Sequence, residues 1–494
     1  MKIEIVNQPV TEVACDAIIL HAFAKQEQHQ YAIGSDNERL ISVVRPIIEY
    51  QPDITKFGST TVVYTLGTLK AKQIILVGGG EEEELTLDRL RSLAAIACRT
   101  AQANNAKVLA WQFDTAKFDP AATAAAIAEG AELGTYRFTY YKTTDNTPDR
   151  NIERLILIGE NSRERQGAIN EAQIIAAGVK LARDLVNHPA QFMTPSQMAK
   201  QAKEVARQVN LEIEILEQAD IANLNMSAFL AVAKGSDEPP KLIVLKYTGN
   251  PDDPHFTAFI GKGITFDSGG ISLKPSEGMQ DMKDDMAGGA AVLGAMLAIG
   301  QLKPATNIWG IIPCTENMPS GHASRPGDII TAMNGKTIEI INTDAEGRLI
   351  LADAITYAIR QGAIRLVDLA TLTGACIVAL GKVASGVMSN DQGWCQKVLM
   401  AAEQVGEKMW QLPNYPEYKE LIKSDVADLK NSGGRPAGAI TAGMFLAEFA
   451  EKTPWVHIDI AGTVTSEKDN GYNVKGATGV GVRTLVSLAR SLAI

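Results

Sequence analysis

Short apolar runs alternate with longer helical patterns along the first third of the chain. Residues 17–20, 61–64, 74–77, 108–111 and 155–158 are short apolar runs of strand length. Between several of them lie stretches with helical spacing, notably Leu87 to Ala103 and the alanine-rich Ala121 to Gly134. Strands alternating with helices predict an α/β domain with a mostly parallel sheet. Residues 161–187 then carry one long amphipathic pattern through Ile169, Ile174, Ile175, Ala177, Leu181 and Leu185. This predicts a helix linking two domains, ending at Asn187-His188-Pro189, where the proline disfavours continuation. Beyond it, residues 242–245, 256–260, 307–312, 366–369 and 455–460 read as strands. A helix opening in residues 282–291 and running to about 299, and another over 349–359, complete the pattern. The expected organisation is an N-terminal α/β domain over residues 1–160, a linker helix over 161–187 and a larger α/β domain over 188–494.

Composition narrows the class of protein. A hydrophobic fraction of 46% with 21% charged residues fits a soluble globular chain with substantial cores. The net charge of −10, with no compensating basic block, argues against nucleic acid as the main partner. No uninterrupted apolar run predicts a membrane span, and the Met1-Lys2-Ile3-Glu4 start lacks a signal-peptide core. Five cysteines stand far apart, never as Cys-x-x-Cys, which predicts reduced thiols and a cytoplasmic address. No His-x-x-x-His or His-Glu-x-x-His occurs, so any metal must be held mainly by oxygen ligands.

The chemistry concentrates around Asn342-Thr343-Asp344-Ala345-Glu346-Gly347-Arg348-Leu349. If this stretch is extended, Asp344, Glu346 and Arg348 share one face. Alone, such a group is as readily a surface ion cluster as a metal or catalytic site. Two further stretches bear on the choice. Gly261 through Lys274 follows a predicted strand and carries Lys262, Asp267 and Lys274, in the place where open α/β sheets gather functional groups. Met282 through Ala291 opens a small-residue helix with Asp284 and Asp285, where one aspartate is ordinarily just a cap. Together the loops offer Asp267, Asp285, Asp344 and Glu346. Four carboxylates brought together repel strongly unless cations lie between them. Two divalent ions would balance them, with Lys262 as an amine ligand whose proton neighbouring cations strip away. This is the donor set of a two-metal hydrolase with a bridging water. Gly78-Gly79-Gly80 reads as a turn before an acidic helix start rather than a phosphate cradle, because four glutamates follow. Ala332 to Thr337 reads as a hairpin whose Asn334-Gly335 suits a type I′ turn. Asn431 to Gly438 reads as a connector before an apolar helix, with a loop bordering the active site as the lesser alternative.

These motifs resemble the leucyl (cytosol) aminopeptidases, peptidase family M17. The likeness extends to Arg325-Pro326-Gly327-Asp328, Ala370-Thr371-Leu372-Thr373-Gly374-Ala375, residues 457–463 and residues 475–483. It implies a metallopeptidase domain with a mixed, mostly parallel sheet, preceded by a macro-like N-terminal domain. The resemblance makes Lys262, Asp267, Asp285, Asp344 and Glu346 metal ligands, with Asp267 and Glu346 bridging both ions. Lys274 would stabilise the oxyanion. Arg348 would hold a bicarbonate serving as general base. Met282, Asn342, Thr371, Gly374 and Ala461 would line the pocket for the substrate's first side chain. Asp284 makes an acidic pair with Asp285, and spacing favours Asp285 as the ligand. His188 and Gln191 depart from the family pattern. The implied protein is a cytoplasmic homohexameric aminopeptidase releasing leucine-like N-terminal residues from peptides. Each subunit would carry two divalent ions, Mn²⁺ or Zn²⁺, with Mg²⁺ or Co²⁺ also admitted. The competing readings are a cysteinylglycine-type dipeptidase and a noncatalytic regulatory protein that keeps the fold.

Overall fold

A computed structural model describes residues 1–25, 31–113, 115–144 and 151–493. The chain forms two compact units: Met1–Ala176 with Ser466–Lys475, and Ala177–Thr465 with Gly476–Ile494. The amphipathic stretch after the first unit's last strand is one helix, Arg163–Asn187.

In the first unit the strands run in the order Lys2–Val6, Arg154–Ile158, Val108–Gln112, Ala17–Ala24, Gln73–Glu81, Thr60–Tyr64. The pairings are parallel except at Thr60–Tyr64 and where Tyr31–Ile33 joins Ala17–Ala24. The runs of the inner strands are buried, as sheet positions covered on both faces require, whereas the edge strand Thr60–Tyr64 is half-buried to exposed. One core gathers Ile19, Ile75, Leu109 and Leu155 with Leu90, Leu93 and Ile127 of the helices Leu87–Ala103 and Pro120–Gly134. A second gathers Ile18, Leu76 and Ile156 with Leu40, Val44 and Ile48 of Glu38–Tyr50. The glycine triplet corrects one expectation: Gly78, Gly79 and Gly80 lie inside the strand Gln73–Glu81, not in a turn. A Cβ on Gly78 would sit 2.2 Å from the Lys56 carbonyl oxygen, so a chain crossing sets the requirement for glycine.

The second unit is built on a mixed, mostly parallel sheet. Its order is Met409–Gln411, Ser385–Ser389, Trp455–Asp459, Ala363–Ala370, Phe256–Gly261, Asn307–Asn317, Lys241–Thr248, Glu212–Leu216. Gly263–Asp267 pairs with the far end of Asn307–Asn317. The central strands Phe256–Gly261, Ala363–Ala370 and Trp455–Asp459 are parallel neighbours, with Gly261 opposite Leu369 and Ala370 opposite Asp459. Their carboxyl ends therefore finish side by side, and the loops that leave them collect at one edge of the sheet.

Two helices are pressed onto that edge. Ala287–Leu302 starts with small residues because its first turn lies directly on the strands. A Cβ on Gly288 would be 2.1 Å from the Leu369 carbonyl oxygen. The continuous stretch Met279–Leu302 is long and apolar enough to cross a membrane, but 89% of its apolar window is buried inside the protein. It is the core helix of this unit. Gly347–Arg360 packs on the other side, and its buried Asp353 accepts hydrogen bonds from Phe229 N (2.9 Å) and Met333 N (2.7 Å). Burial pushes the Asp353 carboxyl up to about 7 in spite of these donors.

The hairpin exists, Ile329–Thr331 against Thr337–Glu339, but its turn differs from type I′. Gly335 has φ +91°, whereas Asn334 is absent from the residues with positive φ. Gly335 N donates to Ala332 O (2.8 Å) and Ala332 N to Lys336 O (2.9 Å). This is a three-residue loop in which one glycine alone takes the left-handed conformation.

Candidate metal centre

The signature stretch is a turn rather than a strand. The pairing strand stops at Glu339, residues 343–344 form the turn, and the helix begins at Gly347, two residues earlier than the pattern predicts. Alternation along an extended segment is therefore not what unites Asp344, Glu346 and Arg348. A turn delivers the two carboxylates, and the first helical turn delivers Arg348. Gly347 is required because Lys262 passes over it: an added Cβ would lie 2.6 Å from Lys262 Nζ.

Asp267, Asp344 and Glu346 each bring a carboxylate oxygen within 4.8 Å of the others. Asp267 ends the strand Gly263–Asp267, where its Oδ1 accepts from Gly269 N (2.9 Å) and Asn317 Nδ2 (2.8 Å). Asp285 stands outside this trio and joins it through Lys262. The Lys262 ammonium lies 2.8 Å from both Asp285 Oδ1 and Glu346 Oε1, and it donates to the Thr371 carbonyl at 3.1 Å. Lys274 bridges the other side, 2.8 Å from Asp267 Oδ2 and 2.5 Å from Asp344 Oδ1. Asp284 is not in the trio, and burial together with the Asp281 charge pushes it up to about 7.

Electrostatics follow from this crowding. Burial raises the Asp285 carboxyl well above its usual range; Lys262 opposes this, while Asp267 and Glu346 add to the rise. Glu346 and Asp344 are raised likewise, first by burial and then by Asp267. Burial works to lower Lys262, but Asp285, Glu346 and Asp267 outweigh it and hold the proton on the amine. Asp285 Oδ2 and Glu346 Oε2 are buried with no hydrogen-bond partner. Orphaned carboxylate oxygens in a crowded, oxygen-rich group fit divalent cations, which supply the missing partners and relieve the repulsion.

Arg348 is 7% exposed, and its Nη1 donates to the Asn431 carbonyl (2.7 Å) while Nε has no partner. Burial lowers its pKa to about 10, against the pull of Glu346, Asp459 and Asp344. A buried guanidinium edge without an acceptor fits a small planar anion.

The residues expected to line a pocket are tied together in part. Thr371 Oγ1 donates to Asp285 Oδ1 (2.7 Å). Gly374 opens the short helix Gly374–Leu380, and a Cβ there would meet nothing within 4 Å. Ala461 N donates to Asp459 Oδ1 at 3.2 Å. Asn342 Oδ1 accepts from Asp344 N (3.0 Å), so it shapes the turn. Met282 lies on the 3₁₀ turn Met279–Asp284, three residues before Asp285.

Several organising residues escape the sequence reading. Asn431, fully buried, accepts on Oδ1 from Ile341 N (2.8 Å) and Asn342 N (3.3 Å). Its Nδ2 donates to Asn342 O (2.7 Å) and Ala345 O (3.3 Å). The connector thus begins with a residue that moulds the carboxylate turn. Asn317 Nδ2 spans Asp267 Oδ1 and Thr343 O (3.0 Å). The one available signal was a polar residue at a strand's end (Asn317) or just after it (Asn431), which is common in ordinary loops.

Comparison with known proteins agrees with this geometry. Residues 180–486 match the catalytic domain of the cytosol aminopeptidase family, and residues 25–145 match its N-terminal domain. A protein of Alkaliphilus oremlandii described as "Probable cytosol aminopeptidase" is 49% identical over 498 residues, covering 100% of both chains. One of Geotalea uraniireducens with the same description is 43% identical, covering 99% of each. Among solved structures, a tomato leucine aminopeptidase variant has TM-score 0.89 at 35% identity, covering 99% of this chain and 96% of that one. The bottromycin maturation enzyme BotP in complex with Mn has TM-score 0.85 at 33% identity, covering 98% and 100%. The chain is a member of the cytosol aminopeptidase family, M17.

Proposed function

We propose that this aminopeptidase is a two-metal enzyme that removes leucine-like residues from the N-termini of peptides. The observation that carries the reading is the group of buried carboxylates with orphaned oxygens around Lys262. Lys262, Asp267, Asp285, Asp344 and Glu346 would hold two divalent ions, and the Mn complex of BotP supports Mn²⁺ as one of them. Zn²⁺, Mg²⁺ and Co²⁺ suit the same donors. Such ions supply Lewis acidity and an activated water.

The chain's own groups do the rest. The acidic cluster attracts the α-ammonium of a peptide, which favours attack at the first bond. Lys274, steadied between Asp267 and Asp344, places a fixed positive charge where an oxyanion develops. Arg348, anchored on the Asn431 carbonyl, offers its free edge to bicarbonate, the general base. Met282, Asn342, Thr371, Gly374 and Ala461 receive the first side chain. In this reading residues 188–494 are the catalytic domain, residues 161–187 the linker and residues 1–160 a macro-like domain. The protein is cytoplasmic and homohexameric, with peptides as its substrates.

The test is hydrolysis of leucine p-nitroanilide by chelator-stripped protein, before and after Mn²⁺ or Zn²⁺ is added. Metal-restored release, with none from the N-acetylated substrate, is the expected result. A folded, assembled sample silent with every metal would overturn the proposal.

Metal loading is expected to depend on pH with a definite sign. The carboxylates raise the pKa of Lys262, so the amine must lose a proton before its nitrogen can bind a cation. Affinity for Mn²⁺ should therefore rise with pH, by about tenfold per unit for each proton displaced. Titration calorimetry in buffers of different ionisation enthalpy checks this directly. Affinity that is flat from pH 6 to 9 (roughly the span of ordinary metal–proton competition) would show that Lys262 keeps its proton.

A further inference from the structure

We propose that Asp459 is the positioning residue that sets selectivity for the first side chain of the substrate. The inference rests on the reading of Thr371, Gly374 and Ala461 as pocket-lining residues. Those three come from two segments nearly ninety positions apart, and something must hold the segments in register. Asp459, 3% exposed, ends the strand Trp455–Asp459, directly opposite Ala370 on the neighbouring strand. Its Oδ1 accepts from Leu372 N (3.1 Å) and from Ala461 N (3.2 Å). Its Oδ2 accepts from Thr373 Oγ1 (2.7 Å). One carboxylate thus fastens both halves of the pocket.

The clamp extends in two directions. Thr373 Oγ1 also accepts from Cys376 N (3.0 Å), capping the helix that begins at Gly374. On the other side of Leu372, Thr371 bonds Asp285 through its hydroxyl and Lys262 through its carbonyl. The loop is consequently pinned at three successive residues, on the metal-centre side at Thr371 and on Asp459 at Leu372 and Thr373, just before the helix that starts at Gly374. Gly374 has open space around it, so the pocket wall there is defined by loop position and not by bulk. Behind the clamp, His457 and Asp368 form a fully buried pair (Nδ1 to Oδ1, 2.6 Å), to which Trp455 Nε1 adds a bond to Asp368 Oδ2 of the same length. This leaves the strand end little freedom to follow a displaced loop. Asp459 is not among the proposed metal ligands, and its side-chain bonds go to Leu372, Thr373 and Ala461. It acts through the residues that do.

The prediction is a split between binding and turnover. In Asp459→Ala, the KM for leucine p-nitroanilide should rise by about tenfold, and the leucine-over-alanine ratio of kcat/KM should fall by a similar factor. The kcat at saturating substrate and metal should fall less than the selectivity ratio does, because the proposed metal ligands keep their own bonds and the Asp459 charge reaches Arg348 only through space, beside the nearer pull of Glu346. Asp459→Asn should restore most of the selectivity, since its oxygen still accepts from the two backbone amides and its NH₂ can donate to Thr373. If the alanine variant does not fold, Thr373→Val removes one arm of the clamp without emptying the buried position, and should move the ratio the same way. A folded Asp459→Ala or Thr373→Val enzyme with the wild-type leucine-over-alanine ratio would overturn the proposal. So would a loss confined to kcat. A wild-type enzyme inactive on every substrate would instead overturn the aminopeptidase mechanism proposed above, which separates the two failures.

Discussion

Glu346→Gln is expected to lower kcat/KM for leucine p-nitroanilide by about a thousandfold, equivalent to roughly 4 kcal/mol of transition-state stabilisation. Glutamine keeps the volume of the side chain but removes one of the four charges that the proposed ions would balance. It also leaves one fewer oxygen able to bind a cation. Glu346 is 2% exposed, with Oε1 against the Lys262 ammonium at 2.8 Å and Oε2 unpartnered. The substitution should weaken Mn²⁺ binding, measured by calorimetry, in parallel with activity. Metal-free protein should lose no stability, because burial and Asp267 already hold the Glu346 carboxyl above its usual range, its charge raises Asp285 further, and Lys262 keeps Asp285 at 2.8 Å. A Glu346→Gln enzyme with undiminished kcat/KM and Mn²⁺ affinity would remove Glu346 from the metal centre.

Much of this arrangement could be read from the sequence, for a physical reason. Strand-length apolar runs report burial on both faces of a sheet, and such runs mark the central strands Phe256–Gly261, Ala363–Ala370 and Trp455–Asp459. Chemistry at the ends of those strands is then local: Lys262 and Asp267 follow one strand within six residues. Charge arithmetic among four carboxylates needs no coordinates. What failed was local geometry that distant contacts decide. The type I′ turn was expected from Asn334-Gly335, but only the glycine adopts positive φ. The triplet Gly78-Gly79-Gly80 looks like a turn, yet the crossing of residues 54–59 requires glycine within a strand. Alternation seemed to place Asp344, Glu346 and Arg348 on one face; a turn delivers the two carboxylates instead, and the first turn of a helix delivers Arg348.

The residues whose roles the sequence did not disclose share a feature. Asn431, Asp459 and Asn317 spend their hydrogen bonds on backbone, a hydroxyl or a carboxylate far away in sequence: Asn431 on positions 86–90 away, Asp459 on 86–87 away as well as on Ala461 nearby, Asn317 on 26 and 50 away. No periodicity or motif spacing encodes such a partner. These side chains form an inner frame that the catalytic motifs presuppose, and only the fold discloses it.

Asn431→Ala tests that frame at its most connected point. The substitution deletes four hydrogen bonds to the backbone of residues 341–345, two accepted and two donated, while the Asn431 carbonyl that holds Arg348 remains. Each lost bond is worth about 1 kcal/mol net, more where a buried group is left without a partner. Water cannot easily compensate, since Asn431 is fully buried. A stability loss of about 3–4 kcal/mol follows, seen as a lower midpoint in thermal or denaturant unfolding. The functional loss should be larger than a generic packing defect would give. The same backbone carries Asp344 and Glu346, and a shift of about 1 Å in catalytic groups costs about a hundredfold in rate. The expected result at saturating Mn²⁺ is a kcat/KM reduced about a hundredfold, with Mn²⁺ affinity falling alongside it. Measuring both on protein shown to be folded separates misplacement from unfolding. A folded Asn431→Ala enzyme with wild-type Mn²⁺ affinity and kcat/KM would mean that the turn holds its shape without Asn431, and that its own bonds, Asp344 N to Asn342 Oδ1 and Thr343 to Ser272 and Gly269, suffice.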